Sequence, residues 1–142
     1  MIEDEIRMLL DKICARTRRN YSEYLRQYNL HVGQDHALRQ LWMEEGITQL
    51  ELSKRMGCEP PTTTNMIKKL EEYGLVYRKG DSEDGRVSRV YLTPEGKALQ
   101  KPIQEVWKIQ QEKMLEGILP EERLLLRRLM QQIHENISKS HD

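Results

Sequence analysis

The sequence predicts a mainly α-helical chain with one small β-hairpin, and three observations lead there. Phe is absent, while Leu, Met, Glu, Arg and Gln are abundant, a composition that favours helices over sheets. Apolar residues recur at helical spacing through most of the 142 residues. The stretch around 75–92 reads instead as two extended arms, Leu75–Lys79 and an alternating run through Leu92, on either side of the acidic turn Asp81-Ser82-Glu83-Asp84-Gly85.

The first helix is expected over about Ile2–Tyr28, with Ile2, Ile6, Leu9, Leu10, Ile13, Tyr21, Tyr24, Leu25 and Tyr28 at helical spacing. Asn29–Gly33 breaks it. A second helix, about Gln34–Glu45, places Ala37, Leu38, Leu41 and Trp42 on one side and stops at Gly46. Thr48-Gln49-Leu50-Glu51 reads as a capping box that opens a short helix ended by Gly57. Pro60-Pro61 can begin a helix but not lie inside one, and the segment Thr62–Tyr73 turns Met66, Ile67 and Leu70 inward before Gly74. Two short helices joined by a tight Gly-containing turn form a helix-turn-helix, and a basic hairpin directly after it is a wing.

In the hairpin, Val90 and Leu92 fall on one face and Arg89 and Tyr91 on the other, with Asp and Gly in the turn tolerating positive φ. A solvated edge hairpin with solubilising charges is the competing reading. Thr93-Pro94 then opens further helix, with Thr as N-cap and Pro at the first helical position. Ala98, Leu99, Ile103, Val106, Trp107, Ile109, Met114 and Leu115 continue it to Gly117, with a kink expected at Pro102. Leu119-Pro120-Glu121-Glu122 starts a last helix carrying Leu124, Leu125, Leu126, Leu129, Met130, Ile133 and Ile137.

The expected organisation is one domain, 1–142, with terminal helices at about 1–28 and 97–139 flanking a winged helix-turn-helix lobe at about 34–93. The terminal helices carry more apolar surface than a small lobe can cover. A two-fold dimer in which they interlock accounts for this, against the alternative of a tail folded on its own core.

Formal net charge is zero, a mild argument against a nucleic-acid binder unless charge is segregated. Cys14 and Cys58 form neither a ligand pair nor a disulfide framework. Charges interrupt the first ten residues, and no apolar run approaches membrane-spanning length, so a cytoplasmic protein with no membrane partner is expected. There is no Gly-rich phosphate loop, nucleophile elbow or metal-ligand constellation, so neither catalysis nor a cofactor is expected.

Helix order, turn, wing and flanking helices together resemble the MarR family of bacterial and archaeal transcriptional regulators, over essentially the whole chain. The resemblance rests on Leu50-Glu51-Leu52-Ser53-Lys54-Arg55-Met56 and on Leu70-Glu71-Glu72-Tyr73-Gly74-Leu75-Val76-Tyr77-Arg78. It rests also on Asp84-Gly85-Arg86 followed by Val90-Tyr91-Leu92-Thr93-Pro94-Glu95-Gly96. It implies a homodimeric regulator on a pseudo-palindromic DNA operator, a repressor relieved by a small lipophilic or phenolic effector. The alternatives are a winged-helix protein-interaction module and a thiol-redox-controlled regulator.

Chemistry assigns the DNA-binding roles. The second helix of the motif enters the major groove, with Thr62, Thr64, Asn65, Lys68 and Lys69 on or near its outer face. Asn65 suits a bidentate contact to adenine, Thr62 and Thr64 suit phosphate or a thymine methyl, and Lys68 and Lys69 suit phosphates. Arg86 is the wing residue expected in the minor groove, with Arg89 beside it. Asp84, with Gly85 in the wing turn, is expected to hold an arginine or cap the turn, as the resemblance implies. Ser82-Glu83 make the wing tip less basic than is common in the family.

For sensing, Tyr21, Tyr24 and Trp42 are candidate lining of an effector crevice, or simply core. The reactive cysteine of peroxide-responsive members would fall near Arg7, two turns before Cys14. Gln34-Asp35-His36 resembles part of one subgroup's zinc site, whose partner histidines are absent between Gly96 and Gly117. His31 and Glu23 are the substitutes, and an ordinary surface histidine is the preferred reading.

Overall fold

The computed structural model describes residues 1–139. They fall in two compact units, Met1–Val106 and the residues from Trp107 onward.

In the first unit, α1 (Ile2–Arg26) ends two residues earlier than Tyr28, and Asn29 turns the chain with φ 57°. Helix α2 (Gln34–Met43) stops at Glu44, whose extended backbone ends it before Gly46. A two-residue strand, β1 (Ile47–Thr48), leads into α3 (Gln49–Met56). The Thr48 hydroxyl accepts from the Glu51 amide at 3.1 Å. The expected reciprocal half of the capping box is not made, because the Glu51 carboxylate turns to Arg55 at 3.3 Å. Gly57, in the left-handed conformation at φ 67°, closes α3.

Helix α4 (Pro60–Glu72) takes both prolines into its first turn, where their missing amide hydrogens cost nothing. It buries Thr63, Ile67 and Leu70 against α2 and α3. Strands β2 (Val76–Gly80) and β3 (Ser88–Leu92) form the expected hairpin, and β1 adds a third antiparallel strand beside β3. The register pairs Val76 with Leu92, Tyr77 with Tyr91, Arg78 with Val90 and Lys79 with Arg89. It buries Val90 and Leu92 and stacks Tyr77 on Tyr91 on the other face, ring centroids 5.4 Å apart.

The start of α5 (Pro94–Ala98) is a joint as well as a cap. The Thr93 hydroxyl accepts from the Gly96 amide and donates to the Gly74 carbonyl at 2.6 Å. A Cβ at Gly96 would run into the Leu75 carbonyl oxygen, so only glycine permits this approach. The Gly96 carbonyl in turn accepts from Trp42 Nε1 at 2.9 Å. The bend expected at Pro102 is instead a break at Leu99, between α5 and α6 (Gln100–Met114). Pro102 has no amide hydrogen to offer Ala98, so the helix restarts with the proline in its first turn. Leu25, Leu30, Leu38, Leu41, Leu52, Ile67, Leu70, Val90 and Ile103 make the buried centre of this unit.

In the second unit, the end of α6 leads through Gly117 (φ 83°) to α7 (Pro120–Lys139). Arg123 braces the turn, donating from Nε to the Ile118 carbonyl and from Nη2 to the Leu115 carbonyl. No residue of α7 is buried. No helix of the described residues is long and apolar enough to cross a membrane.

Candidate nucleic-acid interface

Because α4 buries Thr63, Ile67 and Leu70 at one-turn intervals, the remaining positions must face out. Thr62, Thr64, Asn65, Lys68 and Lys69 are all exposed. Among the described residues, the side chains of Thr62, Asn65 and Lys68 make no hydrogen bond or ion pair, so they meet solvent. Thr64 is different: its hydroxyl donates to the Pro60 carbonyl at 3.0 Å and accepts from Gln49 Nε2 at 3.2 Å, tying the start of α4 to α3. Its methyl is the part left for a ligand. Lys69 lies 3.5 Å from Glu72, an exposed pair that water and salt screen readily.

The wing is built by side-chain capping rather than by a left-handed residue. Gly85 adopts no positive φ, contrary to expectation. Asp81 Oδ2 accepts from the amides of Glu83 and Asp84, each at 3.1 Å, and the Val87 amide returns to the Asp84 carbonyl at 3.0 Å. These bonds close the turn without special backbone geometry. Asp84 Oδ1 accepts from both the amide (3.0 Å) and Nε (3.2 Å) of Arg86. The Arg86 side chain is otherwise in solvent, 93% exposed, at the tip.

Arg89, expected among the DNA contacts, is partly exposed and bonded within the protein. Its Nε donates to Asp81 Oδ1 at 2.6 Å and its Nη1 to the Gly46 carbonyl at 2.7 Å. Two of its three nitrogens are thus engaged internally, which argues for a bracing role. The Arg89 guanidinium holds the Asp81 carboxyl below the usual aspartate range, helped by the Asp84 and Glu83 amides. Asp81 is the residue the sequence reading overlooked. Its signal was an Asp opening a turn, followed by further acids, the pattern of a side chain capping its own loop.

Pairing also bears on the zero net charge. Arg78 bonds Glu71 at 2.7 Å, and Arg55 bridges Glu44 at 2.8 Å and Glu51 at 3.3 Å. Each pair neutralises an arginine along with its carboxylate, while among the described residues Lys68 on the outer row of α4 stays unpaired.

The candidate effector residues lie on two helices, Tyr21 and Tyr24 on α1 and Trp42 on α2. Tyr21 and Tyr24 are half-buried on the side of α1 that buries Leu25, and Trp42 uses its ring N–H on Gly96. A groove of about 480 Å3 does lie beside α1, lined by Ala15, Arg18, Arg19, Ser22, His31 and Val32 and by none of those three aromatics. Asp35 is fully buried, with Oδ1 accepting from the Gly33 amide at 2.9 Å, while His36 and His31 are exposed. Among the described residues no three His, Cys, Asp or Glu side chains could hold a metal ion. Cys14 is exposed on α1 and Cys58 is half-buried after α3.

Comparison with known proteins agrees with this architecture. Residues 30–88 match the MarR family. A MarR transcriptional regulator from Methanosarcina mazei Go1 superposes with a TM-score of 0.83 at 26% identity, covering 96% of this chain and 98% of that one. A MarR family protein from Bacillus stearothermophilus gives 0.77 at 28% identity, with 96% of each chain covered. S. aureus MepR, in a structure of its complex with DNA, gives 0.85 at 22% identity over 91% of this chain and 96% of that one. The winged helix-turn-helix between residues 30 and 88 is a MarR family domain, in a chain that has the fold of the family's regulators.

Proposed function

We propose that this chain is a sequence-specific double-stranded DNA-binding transcriptional regulator. The observation that carries the reading is the outer row of α4, where Thr62, Asn65 and Lys68 stand exposed over buried Thr63, Ile67 and Leu70 beside a wing tipped by Arg86. Hydrogen-bonding groups for base edges and cations for phosphates alternate on that row, whereas a protein-docking face would present aromatic or aliphatic anchors. Asn65 faces adenine, Thr62 and the Thr64 methyl meet phosphate or thymine, Lys68 and Lys69 meet phosphates, and Arg86 enters the minor groove under the hold of Asp84. MarR-fold proteins solved with DNA, such as S. aureus MepR, support DNA as the partner.

The working form is a homodimer. Ile2, Ile6, Leu9 and Ile13 on α1, and Leu125, Leu129, Ile133 and Ile137 on α7, form exposed aliphatic rows that a lone chain leaves in water. Pairing through these helices sets two copies of α4 about one DNA turn apart, roughly 34 Å, on a pseudo-palindromic operator. The regulator represses by occluding polymerase, and a small lipophilic or phenolic effector relieves it by changing the spacing of the two lobes. It has no enzymatic role and acts in the cytoplasm.

The test is fluorescence anisotropy of the purified protein on DNA from upstream of its own coding region, against scrambled DNA, across salt concentrations. Preferential binding that falls steeply with salt supports the reading. Arg86→Ala should cut affinity by roughly three- to ten-fold, about one minor-groove contact, while light scattering still reports a dimer. A folded dimer whose DNA binding is absent or salt-insensitive would point to a protein-interaction module instead.

A further inference from the structure

The bonds around Arg89 link three separate places. Its guanidinium spans from the wing turn, through Asp81 Oδ1, to the carbonyl of Gly46 in the loop between α2 and β1, 43 residues away in sequence. That loop is itself fixed on β3: the Gly46 amide donates to the Val90 carbonyl at 2.8 Å, and Glu45 Oε1 accepts from the Leu92 amide at 2.8 Å. At the other end, the second oxygen of Asp81 holds the Glu83 and Asp84 amides, and Asp84 holds Arg86. An unbroken series of hydrogen bonds therefore runs from the loop between α2 and β1 to the arginine at the wing tip. A bare hairpin of two five-residue strands has no such reason to keep one direction.

We propose that Asp81 and Arg89 are positioning residues, a strut that fixes the wing relative to the helix-turn-helix so that Arg86 meets DNA already in place. This rests on the DNA-binding reading for its consequence but not for its geometry. Preorganisation of this kind raises affinity by removing the ordering cost from the binding step. It also makes a prediction that simple electrostatics reverses. Neutralising an acid on a DNA-facing hairpin would ordinarily strengthen binding, yet Asp81→Asn should weaken it.

The experiment has two arms. Without DNA, hydrogen exchange in Asp81→Asn and Arg89→Gln should accelerate at the amides of Glu83, Asp84 and Val87 and remain unchanged in α4. Unchanged wing exchange overturns the strut, whether or not the protein binds DNA. With the upstream duplex as probe, each variant should lose about three-fold in affinity and no more than Arg86→Ala does, and either change added to Arg86→Ala should cost little more, the coupling expected of residues acting through one another. Affinity kept or raised in Asp81→Asn, or losses that add fully to that of Arg86→Ala, overturns the positioning role. Failure of the wild-type protein to bind any duplex is a separate result, which removes the functional reading and leaves the exchange arm to judge the strut. Arg89→Lys keeps charge and stem but cannot span both acceptors, and it takes the place of Arg89→Gln if that variant unfolds.

Discussion

Helices α4 and α7 carry the same helical spacing of apolar residues, yet α4 buries Thr63, Ile67 and Leu70 while α7 leaves every side chain in contact with solvent. Leu70 is fully enclosed; Leu125 is 53% exposed. Periodicity thus tells which face of a helix needs cover but not whether the same chain supplies it. The lobe supplies its own, from α2, α3 and the three-stranded sheet. The rows on α7 and on the first half of α1 are the faces for which cover by a second copy is proposed.

The largest effect that separates the two regions is a cavity. Leu70→Ala should destabilise the fold by about 2–5 kcal/mol, the cost of a void where neighbours cannot collapse. Leu125→Ala, measured by denaturant unfolding at a concentration where the chain is monomeric, should change stability by less than about 0.5 kcal/mol. Equal costs at that dilution would mean α7 finds its cover within one chain, and the contrast would disappear.

A charge in the exposed row sharpens the same comparison. Leu129→Asp sets a carboxylate where an apolar partner face is proposed, and desolvating it disfavours association. Light scattering should report a shift from dimer to monomer, with the circular dichroism of the lobe retained and DNA affinity reduced. A dimer that persists unchanged would place the interface elsewhere.

This contrast also explains what could be read from sequence. The lobe was legible because local signals coincide there: Thr48 and Thr93 cap, Gly57 and Gly74 terminate, and Val90 and Leu92 alternate with Arg89 and Tyr91. Strand β1 was not legible, since two residues cannot display alternation. Long-range joints were equally hidden. Nothing near Arg89 announces that a carbonyl 43 residues earlier will accept from it, so a basic residue on a basic hairpin reads as a DNA contact. The Thr93-Pro94-Glu95-Gly96 run reads as a helix start, whereas its bonds to Gly74 and Trp42 make it equally a joint of the lobe. Of the site, the outward row of α4 follows from periodicity alone. For Tyr21, Tyr24 and Trp42, aromatic spacing on a helix does not distinguish pocket lining from core.

The smallest expected effect concerns the ionisation of Asp81, and its sign follows from the direction of the shift. Arg89 and two amides stabilise the charged carboxylate, so its pKa in the folded protein lies below the ordinary 3.8. Its contribution to wing order is therefore fully present above that value and is lost as pH falls through the lower, folded one. Because the group is near the surface, screening by water keeps the effect local and the global fold hardly registers it. In an NMR titration the Arg89 Nε–H resonance should stay sharp and in place from neutral pH down to about 3.8, then shift and broaden as Asp81 takes up its proton, while core amides such as that of Leu70 remain unchanged. In Asp81→Asn that acid-range shift should be absent. Loss of the resonance well above 3.8 in the wild-type protein would mean that Asp81 is not held in its charged form by Arg89, and the lobe would have to fix its wing by the backbone pairing of β3 with β1 and β2.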